Sequence, residues 1–126
     1  MKFKLKDLII TALVYLTIDI AYITMNVSHF NKYFKLIQGS PLKFKKIPAV
    51  AVYILLAVGL YYFIIKDRKP LLDAFFLGVF VYGVYDLTNY STLNNWTLAF
   101  SIRDTLWGGT VFAASTYIIY EVLKRI

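Results

Sequence analysis

Four long apolar stretches follow one another along the chain, at about residues 7–27, 48–65, 71–91 and 99–122. Each is close to the roughly 20 residues that cross a hydrocarbon core as an α-helix. The stretches are too long for β-strands and show no strict alternation of apolar and polar residues. Because helices satisfy their own backbone hydrogen bonds in lipid, the pattern predicts an all-α integral membrane protein. We expect a bundle of four transmembrane helices that forms a single membrane domain over residues 1–126.

A shorter segment between the first two stretches has a different pattern. Phe30, Tyr33, Phe34 and Ile37 recur at helical spacing with lysines between them, and the sequence "GSP" then ends the segment. We expect a short amphipathic helix near residues 29–38 that lies in the membrane interface. The alternative is an ordinary amphipathic connector that packs on the bundle. The second long stretch has no charged residue, so we expect a packing and lipid-facing helix there.

The composition leaves no room for a separate soluble domain, since 60% of the 126 residues are hydrophobic. The net charge is +7, and eight of the fourteen basic residues flank the membrane on one side. These eight are Lys2, Lys4, Lys6, Lys66, Arg68, Lys69, Lys124 and Arg125. The positive-inside rule therefore predicts cytoplasmic termini, although five lysines in the first loop oppose it. Anionic membrane lipids explain scattered lysines better than nucleic acid does.

Three of the four stretches carry polar and aromatic residues along one helical face. These residues are Tyr15, Asp19, Tyr22 and Asn26 in the first stretch, Tyr82, Asp86, Asn89 and Tyr90 in the third, and Asp104, Trp107 and Gly108 in the fourth. The first and third helices run in the same direction and the fourth runs back. At 1.5 Å per residue, the three aspartates then fall in the same half of the membrane. We therefore expect the three polar faces to meet inside the bundle.

Carboxylates inside a membrane are unfavourable unless they are paired, and by default they indicate function. Arg103 is the only basic residue near the three aspartates and cannot neutralise them all. We expect at least one carboxyl group to be protonated, hydrated or bound to a cation. We also expect side-chain oxygens of Asp86 and Asp104 to lie within one bridging water of each other or of a common ligand. In the alternative interpretation, the polar residues only hydrogen-bond the helices together.

The polar site favours a channel or carrier for protons, ions or small solutes. Four helices enclose little space, and Gly78, Gly109 and Ala113 permit close helix approach, so we expect a homo-oligomer, with a dimer as the first choice. A lipid-modifying membrane enzyme, a lipid-binding accessory protein and a structural or assembly protein are the alternatives. His29 is the only histidine, and no metal-ligand spacing, nucleophile–histidine pair or phosphate-binding glycine loop is found. We therefore predict no catalytic residue, metal site or cofactor.

Three segments, "TIDIAY", "VYDLTNYSTLNNW" and "RDTLWGGTV", resemble a family catalogued as domain of unknown function 2177. The resemblance covers residues from about 8 to 120 and implies a small four-helix membrane protein, with no established activity. The matching motif positions are Asp19, Tyr85, Asp86, Thr88, Asn89, Thr92, Leu93, Trp96, Asp104, Trp107 and Gly108. Thr97 stands where the family usually has proline, and Arg103 where it usually has an apolar residue.

The motif and the polar faces together define a candidate site. We predict binding or transport at Asp19, Tyr22, Tyr82, Asp86, Asn89, Asp104 and Trp107. We predict supporting positions at Tyr15, Tyr85, Thr88, Thr92, Trp96, Arg103 and Gly108.

Overall fold

The computed structural model describes residues 2–43 and 45–126, and this part of the chain contains helices and no strand. The helices are α1 (Leu5–Met25), α2 (Val27–Gln38), α3 (Lys46–Leu60), which continues into a π-helical segment (Tyr61–Ile65), α4 (Leu71–Thr92) and α5 (Leu98–Arg125). The all-α prediction is therefore confirmed. By length and composition, α1, α3 with its π-helical extension, and α4 can each cross a membrane. The fourth predicted span lies within α5, which has 28 residues and carries charged residues near both ends.

Local sequence explains where several helices begin and end. The backbone N–H of Asn26 and its side-chain amide both donate to the carbonyl of Tyr22, so α2 begins directly after α1. Gly39 ends α2 with a left-handed φ of 81°, a conformation that favours glycine. Thr97 begins α5, because its hydroxyl accepts a 3.1 Å hydrogen bond from the backbone N–H of Phe100. Thr97 thus supplies a side-chain cap for α5.

The helix α2 packs its aromatic side against the bundle. Phe30 is buried and lies edge-on to the rings of Tyr22 and Phe100, while Tyr33 stacks on Phe100 with ring centroids 4.1 Å apart. Two lysines of the helix, Lys32 and Lys35, are exposed. The segment is therefore helical from Val27 onward, and its position in a membrane interface stays a prediction.

The helices form an open array rather than a closed ring. The most extensive contact joins α4 to α5, and α1 packs on both α5 and α3. The π-helical segment contacts α1 and α5, whereas among the described residues α3 and α4 have little direct contact. The order in space is therefore α3, α1, α5, α4, with a gap between the outer two. The apolar core comprises Tyr15, Leu60, Tyr61, Ile64, Ile65, Ala74, Val111, Phe112 and Ile119.

Glycines allow α4 and α5 to approach each other closely. A Cβ atom added to Gly78 would lie 2.1 Å from the carbonyl oxygen of Gly108. One added to Gly108 would lie 2.2 Å from the ring of Tyr82, and one added to Gly109 would lie 2.7 Å from Phe75. Gly78 and Gly109 were expected to support contact between chains, but here both serve contact within one chain. The homodimer stays a prediction, which the mass of the assembly in nanodiscs will check.

The start of α1 and the end of α5 lie at the same end of the bundle. Near the start of α1, Asp7 forms a 3.1 Å ion pair with Arg68 in the connection between the π-helical segment and α4. Near the end of α5, the Tyr120 hydroxyl donates a 2.6 Å hydrogen bond to the carbonyl of Lys69 in the same connection. A cytoplasmic location for this end stays a prediction.

Candidate functional site

Three carboxyl groups lie at a common depth, at the end of the bundle opposite the termini. Asp19 precedes the last residue of α1 by six positions, Asp86 precedes the last residue of α4 by six, and Asp104 follows the first residue of α5 by six. Each therefore lies roughly 9 Å along its helix from that end. Asp19 and Asp104 line the same two cavities, and Asp86 is a neighbour of Asp104.

Asp19 is held by two neutral donors from different helices. Its Oδ1 accepts a 3.0 Å hydrogen bond from Nε1 of Trp107, and its Oδ2 accepts a 2.9 Å hydrogen bond from the hydroxyl of Tyr53. The side chain is only 6% exposed. Trp107 is itself fixed by the ring of Tyr22, which stacks on it with centroids 3.9 Å apart. These contacts fix the orientation of an acidic group in α1 from both α3 and α5.

Asp86 and Asp104 form an acidic pair between α4 and α5. Their carboxyl groups are neighbours across the contact between these helices. Asp86 is fully buried, and its Oδ2 has a long 3.5 Å contact with the hydroxyl of Thr105. Its Oδ1 has no hydrogen-bond donor among the residues that the structure describes. Two carboxylates this close repel each other when both are ionised, so a proton shared by the pair is the favourable arrangement.

The smaller of the two cavities that contain Asp19 and Asp104 lies beneath α2 and has a volume of about 220 Å³. Asp19, Tyr22, Tyr82, Asp104 and Trp107 line its polar side. Aromatic residues of α2, the α4–α5 connection and α5 cover it, namely Phe30, Phe34, Trp96 and Phe100. These aromatic side chains give the cavity an apolar wall opposite its carboxyl groups.

The larger cavity lies between α3 and α4, with a volume of about 470 Å³. It shares Asp19, Ile23, Tyr82, Tyr85 and Asp104 with the smaller cavity, so the two meet at the carboxylates. Apolar residues line its sides, including Val52, Leu56 and Val81, and two lysines, Lys43 and Lys45, also line it. The volume is within the range of small-molecule binding sites.

Paired tyrosines separate the cavities from the apolar core. The hydroxyl groups of Tyr15 and Tyr82 hydrogen-bond to each other, and both rings lie edge-on to Phe112. Tyr15 is fully buried and lies one helical turn from Asp19, toward the termini. These three side chains therefore lie between the carboxyl groups and the end that carries the termini.

Several predicted site residues lie outside the two cavities. Asn89 lines neither of them, and Thr88 and Thr92 are exposed, with the Thr92 hydroxyl donating to the Thr88 carbonyl. Arg103 is exposed, and its Nη1 lies 3.4 Å from Nε2 of His29. Gly108 also lies outside, where its lack of a side chain makes room for the cavity residue Tyr82.

Four other residues that contact the carboxyl groups or line the cavities were not predicted from the sequence. Tyr53 was assigned to a lipid-facing helix, although a hydroxyl group within an apolar helix is a signal that could have identified it. Lys43 and Lys45 were considered only as loop charges that opposed the positive-inside rule. Thr105, beside Asp86, follows the motif residue Asp104 directly, but no sequence feature indicated its contact.

Acidic and neutral groups therefore line the two adjoining cavities, which can hold a cation or a proton between carboxylates. Within residues 2–43 and 45–126, no group of three or more histidine, cysteine or acidic side chains is arranged to bind a metal ion.

Comparison with known proteins agrees with this architecture. The model of the DUF2177 family, described as a predicted membrane protein, matches residues 4–121. This range includes the three aspartates and both lysines of the larger cavity. No curated protein and no solved structure matches the chain. Since the family model covers nearly the whole sequence, the chain belongs to the DUF2177 family of predicted membrane proteins.

Proposed function

We propose that the chain crosses the membrane four times and acts as a carrier, which binds a small cation beside Asp19 and Asp104 and exchanges it for a proton. The observation that supports this most directly is the convergence of these two carboxylates, from α1 and α5, on the same two cavities. At 1.5 Å per residue, the 28 residues of α5 extend about 42 Å, which is longer than a hydrocarbon core. α5 also packs against α4 more extensively than any other helix pair does.

The exchange follows from the different surroundings of the carboxyl groups. Asp19 lines both cavities, where its carboxyl group can attract a cation, and two hydrogen-bond donors hold this group in place. Asp104 shares a proton with Asp86. A cation that arrives beside Asp104 favours ionisation of the pair, and the proton is released to the solution. One positive charge enters the cavity as one leaves, so the charge of the site is conserved.

The side chains packed between the carboxylates and the end that carries the termini favour a carrier over an open channel. Tyr15, Tyr82 and Phe112 separate the carboxylates from the end that carries the termini. A solute that crosses the membrane therefore needs a change in helix packing that opens this side. Carriers bind at one site and alternate the side from which it is accessible.

Binding can be tested with tetramethylammonium chloride, with sodium chloride as the ionic-strength control. The protein has two tryptophans, so Trp96→Phe leaves Trp107 as the only tryptophan, whose emission can be excited selectively over that of tyrosine. We expect a saturable change in emission and release of up to one proton per chain in weakly buffered detergent solution. Asp104→Asn should reduce affinity by about tenfold and abolish proton release, since losing one charged contact of 1.4 kcal/mol has that effect.

Asp73→Asn is the matched control for this experiment, because Asp73 is exposed in the first turn of α4 at the opposite end. Equal binding and proton release by the wild type and both variants would contradict the proposal. In liposomes, an outward proton gradient should drive uptake of radiolabelled tetramethylammonium by the wild type and by Asp73→Asn. Uptake at the rate of protein-free liposomes would exclude the carrier function.

Topology can be tested by cysteine labelling, because the chain has no native cysteine. We expect Lys2→Cys and Arg125→Cys to react with an impermeant maleimide from the same side of the membrane. Asn95→Cys, in the connection between α4 and α5, should react from the other side. Labelling of positions 2 and 125 from opposite sides would contradict four spans.

A further inference from the structure

The larger cavity carries opposite charges at its two ends. Lys43 and Lys45 line it near the start of α3, and Asp19 and Asp104 line it at the meeting point with the smaller cavity. Tyr53, which donates to Asp19, follows Lys45 by eight residues. The two ends are thus separated by roughly 12 Å along the axis of α3. The flexible side chain of lysine can bridge much of this distance. A dipolar ligand matches this arrangement better than a simple cation does.

The wall between these charged ends is apolar and accessible from the side of the bundle. Val52 and Leu56 of α3 face Val81 of α4 across the gap that separates these helices. Val52 remains 52% exposed and Val81 39% exposed, although both line the cavity. In a membrane this side of the gap meets lipid chains rather than water. A ligand with a polar head and an apolar tail can therefore reach the carboxylates from the bilayer.

We propose that the larger cavity binds a zwitterionic phospholipid, an inference that rests on the proposed cation site. The ammonium group of the head lies beside Asp19 and Asp104, and the phosphate lies beside Lys43 and Lys45. The acyl chains leave through the gap between α3 and α4. Each charged part of the headgroup thereby meets the opposite charge, and the apolar lining contacts the chains.

Other occupants satisfy only part of the cavity. A soluble cation leaves both the lysines and the apolar wall without a partner. An anionic phospholipid matches the lysines but brings no cation to the two carboxylates. A cationic amphiphile matches the carboxylates and the wall but not the lysines. These differences make lipid headgroup charge the property to vary.

The test measures lipid retained by the purified full-length protein in native mass spectrometry, after exchange into detergent with added lipid. The probes are phosphatidylcholine, phosphatidylglycerol and dodecyltrimethylammonium. We expect one phosphatidylcholine per chain, retained in preference to the other two. The double variant Lys43→Gln with Lys45→Gln should lower phosphatidylcholine retention about fivefold, since two partly exposed ion pairs contribute modestly. The tetramethylammonium affinity of this variant should not fall.

Matched variants distinguish the loss of a cavity charge from a general loss of charge or of folding. Lys32→Gln with Lys35→Gln removes two charges from exposed positions of α2 at the same end of the bundle, and it should retain phosphatidylcholine like the wild type. Asp104→Asn should lower both phosphatidylcholine retention and tetramethylammonium binding. Thermal unfolding of each variant in the same detergent shows that the protein has folded. Asp104→Glu, which keeps the carboxyl group, should retain more phosphatidylcholine than Asp104→Asn does.

Two outcomes would overturn the lipid proposal while the cation carrier stands. The first is tetramethylammonium binding without selective retention of phosphatidylcholine over phosphatidylglycerol. The second is unchanged phosphatidylcholine retention when Lys43 and Lys45 are replaced. Failure of tetramethylammonium binding in the wild type instead removes the cation site, and the lipid proposal with it.

Discussion

Replacing Gly78 with alanine should destabilise the contact between α4 and α5. The added Cβ atom would lie 2.1 Å from the Gly108 carbonyl oxygen and 2.6 Å from its carbon, whereas ordinary contacts begin at 3.4 Å. These are backbone atoms, which cannot rotate away as a flexible side chain can. The two helices must therefore separate by about 1.3 Å at this point. Overpacking of this kind costs about 1–3 kcal/mol, and we expect the upper part of that range.

Gly59→Ala is the matched control, because Gly59 is also helical and a Cβ atom added there meets nothing within 4 Å. Alanine at that position should be neutral or stabilise by up to about 1 kcal/mol through its higher helix propensity. Apparent melting temperatures in one detergent and at one scan rate compare the two variants. A loss of about 3 kcal/mol lowers the melting temperature by roughly 10 °C for a chain of this length. Equal melting temperatures for Gly78→Ala and Gly59→Ala would refute the packing argument.

Three further predictions concern single hydrogen bonds and ion pairs. Tyr53→Phe removes the donor to Asp19 Oδ2 and should weaken tetramethylammonium binding about threefold, as measured by Trp107 emission. Thermal unfolding should show a loss of stability of no more than about 1 kcal/mol. Asp7→Asn leaves Arg68 without its charged partner and should lower the free energy of unfolding by about 1–2 kcal/mol, because Asp7 is only 3% exposed. Tyr120→Phe should lower it by about 1 kcal/mol, and no change in its melting temperature would show that the bond to the loop contributes nothing.

The helices could be predicted from the sequence because membrane spans need long apolar runs. Each of the four predicted stretches lies mostly or wholly within a helix, with ends that differ by a few residues. The common depth of Asp19, Asp86 and Asp104 could also be predicted, because it depends only on the rise per residue and on the alternating direction of successive helices. Sequence periodicity thus gives position along a helix and the face that a residue occupies.

Periodicity does not determine which helices are neighbours. The gap between α3 and α4 depends on helix order in space, and no single-helix pattern records it. The role of Tyr53 follows from that order, since α3 reaches Asp19 only by packing on α1. Lys43 and Lys45 become cavity residues because α3 begins beside the gap. For the same reason, Gly78 could be recognised as a position of close approach, but not assigned to a contact within one chain.

Close packing on one side of α4 and the acidic pair have a common structural origin. The buried residues of α4 are Ala74, Gly78, Gly83 and Asp86, which form a stripe of small side chains that ends in the carboxyl group. Because this stripe lies against α5, Asp86 is fully buried beside Asp104 and Thr105.

The stripe therefore sets the distance between the two carboxyl groups, and its members should differ in effect. A Cβ atom on Gly83 would lie 3.4 Å from the methyl group of Thr105, an ordinary contact, so Gly83→Ala should preserve ligand-linked proton release. Gly78→Ala, which forces the helices apart, should reduce proton release even where the protein remains folded. Equal proton release by the two variants would show that the spacing of α4 and α5 does not control proton release.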